Sequence, residues 1–211
     1  MGLRRTPLVR GEYYHIYNRG VEKREIFLDK EDYFHFLKLL YICNSNKSIT
    51  LRNISDNFDR GETIVDIGAY CIMPNHFHVL CYEKIENGIS TFMKKLSTAY
   101  AMYFNKKYIR TGILFQGRFK SEHANTDGYL KYLYAYIHLN PAKLKNPKWK
   151  EDKTHKSKEL LIFVKKYPYS SLYEYLNNKI KITNPASFPS YFPNIKSHID
   201  DLFQWLSTQN T

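Results

Sequence analysis

Cysteine is scarce in this chain of 211 residues. Three are present, Cys43, Cys71 and Cys81, an odd number with no CxxC spacing. They fit reduced core thiols of a cytoplasmic protein better than a disulfide framework, and they lack the paired spacing of a cysteine zinc site. No uninterrupted apolar run of about 18 residues occurs, so no membrane span is expected. Residues 1–14 contain basic side chains but no apolar segment, and do not read as a secretory signal. Acidic residues are absent altogether between Thr91 and Lys120. No internal repeat and no clear second domain stand out.

Basic charge and aromatic surface are abundant. The formal net charge is +12, and 19 tyrosines and 13 phenylalanines bring the aromatic share to 16%. Basic groups neutralise phosphates, and aromatic faces stack on unpaired bases. A tyrosine-rich core, or coding from an AT-rich genome, gives the same totals, so composition alone leaves nucleic-acid binding open. The 43% hydrophobic and 25% charged shares are those of a soluble globular protein, and the length suffices for one core, with or without an appendage.

The pattern along the chain predicts β-α-β-β-α-β-α. Tyr13 to Tyr17 alternates as a strand closed by Asn18-Arg19-Gly20, and Asp29 caps a helix running to about Cys43. Residues 44–61 read as a polar loop. Ile64 to Met73 and His76 to Tyr82 form a hairpin across Pro74-Asn75. A long helix follows Gly88, a short strand spans Phe119 to Ala124, and a helix capped by Thr126 or Asp127 runs to about Asn140, where Pro141 stops it. This order predicts an α+β fold: a ferredoxin-like antiparallel sheet with two helices on one face, plus the third helix and a C-terminal helical extension. The expected division is a domain over 1–183 and a tail over 184–211. The stretch 143–158 is basic and polar, and a final helix is expected near Ile199–Leu206.

Three features could carry chemistry. His76 and His78 are two apart in a strand, so both imidazoles project from one face while Phe77, Val79 and Cys81 point the other way. Such a pair suits a divalent metal with open positions, although two partly exposed surface histidines are the commoner outcome. Tyr129, Tyr132, Tyr136 and Asn140 form one stripe on the third helix, beside the apolar stripe Leu130, Leu133 and Ile137. A tyrosine oxygen can be a nucleophile and an amide oxygen a metal ligand, while a tyrosine-rich amphipathic helix explains the same spacing. Lys94, Lys95, Lys106, Lys107, Arg110, Arg118 and Lys120 alternate with aromatics, as in a single-strand track or a solvated helix face.

Five stretches together resemble one family. Met73-Pro74-Asn75-His76-Phe77-His78 resembles the MPNHxH signature of single-tyrosine HUH transposases. Tyr136-Ile137-His138-Leu139-Asn140-Pro141 resembles the YIHLNP signature of their REP-associated branch. Phe115-Gln116-Gly117-Arg118-Phe119-Lys120-Ser121 is similar to the WQ-x-RF-x-S element between them, with Phe115 in place of tryptophan. Tyr14 to Gly20 matches the opening strand and turn, with Arg19 among the expected DNA contacts. Tyr169-Ser170-Ser171-Leu172 matches the segment after the nucleophile helix. Ala142-Lys143 departs from a frequent Val-Arg, and residues 44–61 are longer than expected.

The resemblance implies that His76 and His78 bind Mg²⁺ or Mn²⁺, that Asn140 takes the third-ligand place, and that Tyr136 is the nucleophile. The implied activity is transesterification of single-stranded DNA through a 5′-phosphotyrosine, at hairpins or palindromic repeats such as REP elements. Two alternatives remain at this point. A relaxase or replication initiator would use Tyr13, Tyr14 or Tyr17, and a non-catalytic nucleic-acid-binding module would use none. No protein partner is evident, and monomer and homodimer are both open.

Overall fold

The computed structural model describes residues 7–47, 58–152, 157–179 and 181–208. Residues 48–57 of the expected polar loop, 153–156 of the basic stretch, and 209–211 of the tail lie outside the described residues.

Four strands form one antiparallel sheet: β1 (Tyr13–Arg19), β2 (Asp66–Met73), β3 (His76–Tyr82) and β4 (Lys120–His123), in the order β2-β3-β1-β4. Helix α1 (Lys30–Cys43) joins β1 to β2, and α2 (Gly88–Lys107) joins β3 to β4. This is the expected ferredoxin-like arrangement. Strand β1 runs two residues beyond its expected end. Asn18 and Arg19 continue the ladder opposite Phe77 and His76, and the Asn18 amide donates to the Gly117 carbonyl at 3.1 Å.

Period-two alternation divides the sheet. Tyr14, Ile16, Tyr70, Ile72, Phe77, Val79 and Cys81 pack against α1 and α2, where Phe36, Phe92, Leu96 and Tyr100 complete the main core. Phe36 meets Phe77 at 5.0 Å and the Tyr100 ring edge-on at 4.9 Å. Burying each such side chain contributes about 1.5–3 kcal/mol. Helix α1 starts at Asp29 through a capping box with Asp32, whose carboxylate is fully buried. That buried charge is satisfied locally: it accepts from the Leu28 amide, the Tyr103 and Tyr108 hydroxyls and the Lys107 ammonium.

The opposite face is covered by α3 (Asp127–His138), capped by Thr126. Its apolar stripe, Leu130, Leu133 and Ile137, packs on Ala69, Cys71, Met73 and Leu80. Gly68 sits at a bulge in β2, where a Cβ would lie 2.7 Å from the Tyr134 hydroxyl, so only glycine lets the helix approach.

Beyond α3 come α4 (Ala142–Lys145), α5 (Ser157–Lys166), α6 (Ser171–Leu176) and α7 (Ile195–Thr208). The last is longer than the expected Ile199–Leu206. Leu202 and Leu206 of α7 share a buried cluster with Ala135, Leu139, Trp149 and Val164, so the C-terminal helix packs onto the rear of α3. Among the described residues, no helix is long and apolar enough to cross a membrane.

Candidate active site

The site lies on the α3 face of the sheet. Alternation in β1 places Tyr13, His15 and Tyr17 on the side opposite Tyr14 and Ile16, and the same rule turns His76 and His78 there from β3. Register sets Tyr17 beside His78 and Arg19 beside His76. Tyr136 hangs over this row from α3. Its ring meets His78 edge-on at 5.4 Å and His15 at 5.5 Å. Tyr17, Arg19, Lys23, Asn75, His76, His78, Gln116, Lys120, Tyr136 and Lys143 all line one open cleft of about 360 Å³.

The two imidazoles are oriented by their neighbours. His76 Nδ1 is 2.6 Å from Asn75 Oδ1, and His78 Nδ1 is 2.9 Å from His15 Nε2. Nδ1 of each ring is therefore engaged, which leaves Nε2 of each as the nitrogen available to a ligand. Burial, reinforced by Lys143 and Arg19, lowers the His76 pKa to about 4. Burial also holds His78 well below its ordinary value, with His15, His76 and Lys143 adding to it. Both rings are thus neutral at physiological pH, the form a metal needs. Among the described residues no three His, Cys, Asp or Glu side chains are grouped to hold a metal, so an ion held by this pair would need an amide, water or substrate oxygen as a further ligand. Two imidazoles alone leave coordination positions open, unlike a closed structural zinc site.

Burial raises the Tyr136 phenol, Tyr132 and the Glu122 carboxylate add to this, and Asn140 opposes them. Asn140 is buried, donates from Nδ2 to the Tyr136 carbonyl at 2.8 Å, and accepts at Oδ1 from Lys143 Nζ at 3.3 Å. It lines a second, smaller pocket behind Tyr136, together with Tyr132, Trp149, Lys150 and Trp205, and does not line the histidine cleft.

His15, Glu122 and Lys143 were not singled out by sequence. His15 lies opposite Glu122 in the β1–β4 ladder, with Nδ1 3.8 Å from a Glu122 oxygen. That carboxylate accepts from the Tyr17 hydroxyl at 2.8 Å and the Tyr129 hydroxyl at 3.1 Å. The parity of His15 with Tyr13 and Tyr17 was a visible signal. Glu122 needed the strand pairing.

The basic residues separate into two groups. Arg19 and Lys120 line the cleft, and Arg19 Nε donates to Gln116; Arg118 is exposed on the connection leading into β4. Lys94, Lys95, Lys106 and Lys107 are on α2, which packs on the other face of the sheet. Lys95 donates to the Ser45 carbonyl at 2.9 Å, and Lys107 is held by Asp29, Glu31 and Asp32. Arg110 is turned back onto Asn105 and the Ile113 carbonyl.

Two comparisons with known proteins find matches. The profile of the family described as "Transposase IS200 like" matches residues 9–140. A solved structure of a REP-associated tyrosine transposase bound to a REP hairpin aligns with a TM-score of 0.56, over 92% of this chain and 93% of that one, at 14% identity. At that identity the likeness establishes the fold. No curated protein matches the chain.

Proposed function

This chain belongs to the IS200-like transposase family, and from that premise we propose that it cuts and rejoins single-stranded DNA with Tyr136 as nucleophile. The observation that carries the reading is the placement of the Tyr136 ring against the edges of both His78 and His15, over a cleft rimmed by Arg19, Lys23 and Lys120. The phenol oxygen attacks the scissile phosphorus in line. An Oη–P bond forms, the P–O3′ bond breaks, and the strand leaves with a 3′-OH. The bond energy is retained in the phosphotyrosine, so a second 3′-OH can reverse the step without ATP.

His76 and His78 would hold Mg²⁺ or Mn²⁺. Asn140 would complete the set by turning from the pocket behind Tyr136 into the cleft and giving up Lys143 at Oδ1. A bound divalent ion supplies positive charge to a non-bridging phosphate oxygen. The residues of the chain position the strand: Arg19 and Lys120 pair with flanking phosphates, with Arg118 beyond the rim. On the far face, Lys94 and Lys106 are exposed, whereas Lys95, Lys107 and Arg110 would first have to leave their present partners. The substrate on this reading is a single strand beside a hairpin; the structurally similar transposase was solved bound to a REP hairpin.

One observation bears on the relaxase alternative. Tyr13 donates to the Ser187 carbonyl and Tyr14 is buried with its hydroxyl on Pro7, and neither lines the cleft. Tyr17 does line it, 5.9 Å from the His78 ring. The test is cleavage of a labelled hairpin-flanked single strand in Mn²⁺ by Tyr136→Phe and Tyr17→Phe. We expect the first to be inactive with hairpin binding retained, and the second to cut. Cutting by Tyr136→Phe at the wild-type rate contradicts the reading.

A further inference from the structure

Lys143 stands where the nucleophile, Asn140 and the histidine cleft meet. Its Nζ is 5.6 Å from the centre of the Tyr136 ring and 3.3 Å from Asn140 Oδ1. The side chain lines both the histidine cleft and the pocket behind Tyr136. Lys150 reaches the same phenol ring at 5.7 Å. None of the ion pairs among the described residues includes either lysine. The contrast with Lys107, which is held by three carboxylates, is direct.

Two ammonium groups sharing one phenol, without a counter-anion, repel each other. Lys143 is also half-buried, so water solvates it incompletely. Burial and then Lys150 both weaken its hold on its proton. An anion in the cleft relieves all of these at once. Its only protein acceptor among the described residues is the Asn140 amide, a neutral group that holds an ammonium loosely.

We propose that the missing anion is the scissile phosphodiester, and that Lys143 is a catalytic residue whose ammonium holds a non-bridging oxygen of the phosphate attacked by Tyr136. This rests on the reading of Tyr136 as nucleophile. In the step, the Tyr136 Oη–P bond forms as the P–O3′ bond breaks, and the proton lost by the phenol ends on the departing 3′ oxygen. Lys143 stays an ammonium throughout. It contributes charge opposite to that concentrating on the non-bridging oxygens, where a fixed, partly dehydrated cation is most effective. Lys150 stands behind it at the same ring and reinforces the field.

The test compares Lys143→Gln, Lys143→Met and Lys143→Arg in the full chain, under single-turnover conditions in Mn²⁺ on a hairpin-flanked single strand. Lys143→Met keeps the apolar stem if the glutamine variant folds poorly. We expect Gln and Met to slow adduct formation by roughly 100-fold. Arg should recover to within about tenfold of wild type, because it restores the charge. Hairpin affinity should stay within about threefold, since most phosphate contacts are untouched. Mn²⁺ affinity should be unchanged or tighter, because Lys143 opposes positive charge at His76 and His78. A purely structural lysine would instead lower melting temperature and Mn²⁺ affinity together in all three variants, and that pattern overturns the proposal. So does cleavage by both Gln and Met within about threefold of a wild type that forms its adduct at Tyr136, far from the loss expected for a transition-state contact. A wild type that forms no adduct at Tyr136 removes the underlying reading instead.

Discussion

The two faces of the sheet are made from the same strands and differ in how completely they satisfy themselves. On the α1/α2 face, Ile16, Phe77 and Val79 are wholly buried among other apolar groups, and the buried carboxylate of Asp32 has every partner it needs. On the α3 face, the same strands turn out His15, Tyr17, His76 and His78, and needs are left open. His15 Nδ1 is buried with no hydrogen bond, and Lys143 pairs with no carboxylate among the described residues. A folded chain seldom leaves buried polar groups unmet, and on this face two of them gather beside the cleft that we propose binds substrate.

The difference between the two faces should be clearest at His78. His78→Ala should remove cleavage by more than the roughly 100-fold that outer-shell changes cost, while the protein stays folded. Removing its hydrogen bond with His15 should lower stability by about 1–3 kcal/mol. His15→Leu should weaken Mn²⁺ binding by roughly 10–100-fold, because it frees the His78 ring to turn. Titration calorimetry with Mn²⁺ alone checks both; wild-type affinity in His78→Ala would place the metal elsewhere.

Phe36→Ala tests the finished face. The cavity beside Phe77 and Tyr100 should cost about 3–5 kcal/mol in denaturant unfolding. Below the unfolding transition, the rate of adduct formation should be that of wild type. A large rate loss in the folded variant would mean that the two faces are coupled through the sheet.

The smallest effects concern charge. Arg19→Gln and Lys120→Gln should each lower the salt slope of DNA binding by about 1, the change expected when one cation no longer neutralises a phosphate. Lys107→Met should leave the slope unchanged and cost about 1–3 kcal/mol of stability, because Asp32 keeps its burial and loses its cation. A flattened slope in Lys107→Met would restore α2 to the DNA path.

Much of this division was legible in sequence, because it depends on local rules. Alternation sorted His76 and His78 from Phe77 and Val79, and Asp29 and Thr126 marked the starts of α1 and α3. What was not legible depends on residues far apart in the chain. The basic run on α2 reads as one track, yet packing places it behind the sheet and ties Lys107 to Asp29, 78 residues away. Glu122 becomes a neighbour of His15 only through the β1–β4 pairing. The Asn140 side chain lies in line with Tyr136 by spacing, but its own hydrogen bonds turn it toward Lys143 and the pocket behind the phenol. The contribution of α7 to that pocket, through Trp205, has no local signature.

We propose that the α3 face does its chemistry through one phenol, that of Tyr136. The deciding measurement is peptide mapping of the covalent adduct formed between the wild-type chain and a hairpin-flanked single-stranded oligonucleotide in Mn²⁺. The expected result is a single nucleotide-bearing peptide containing Tyr136, with the modification on that residue. An adduct on Tyr17, the other tyrosine lining the cleft from the strand side, would contradict it.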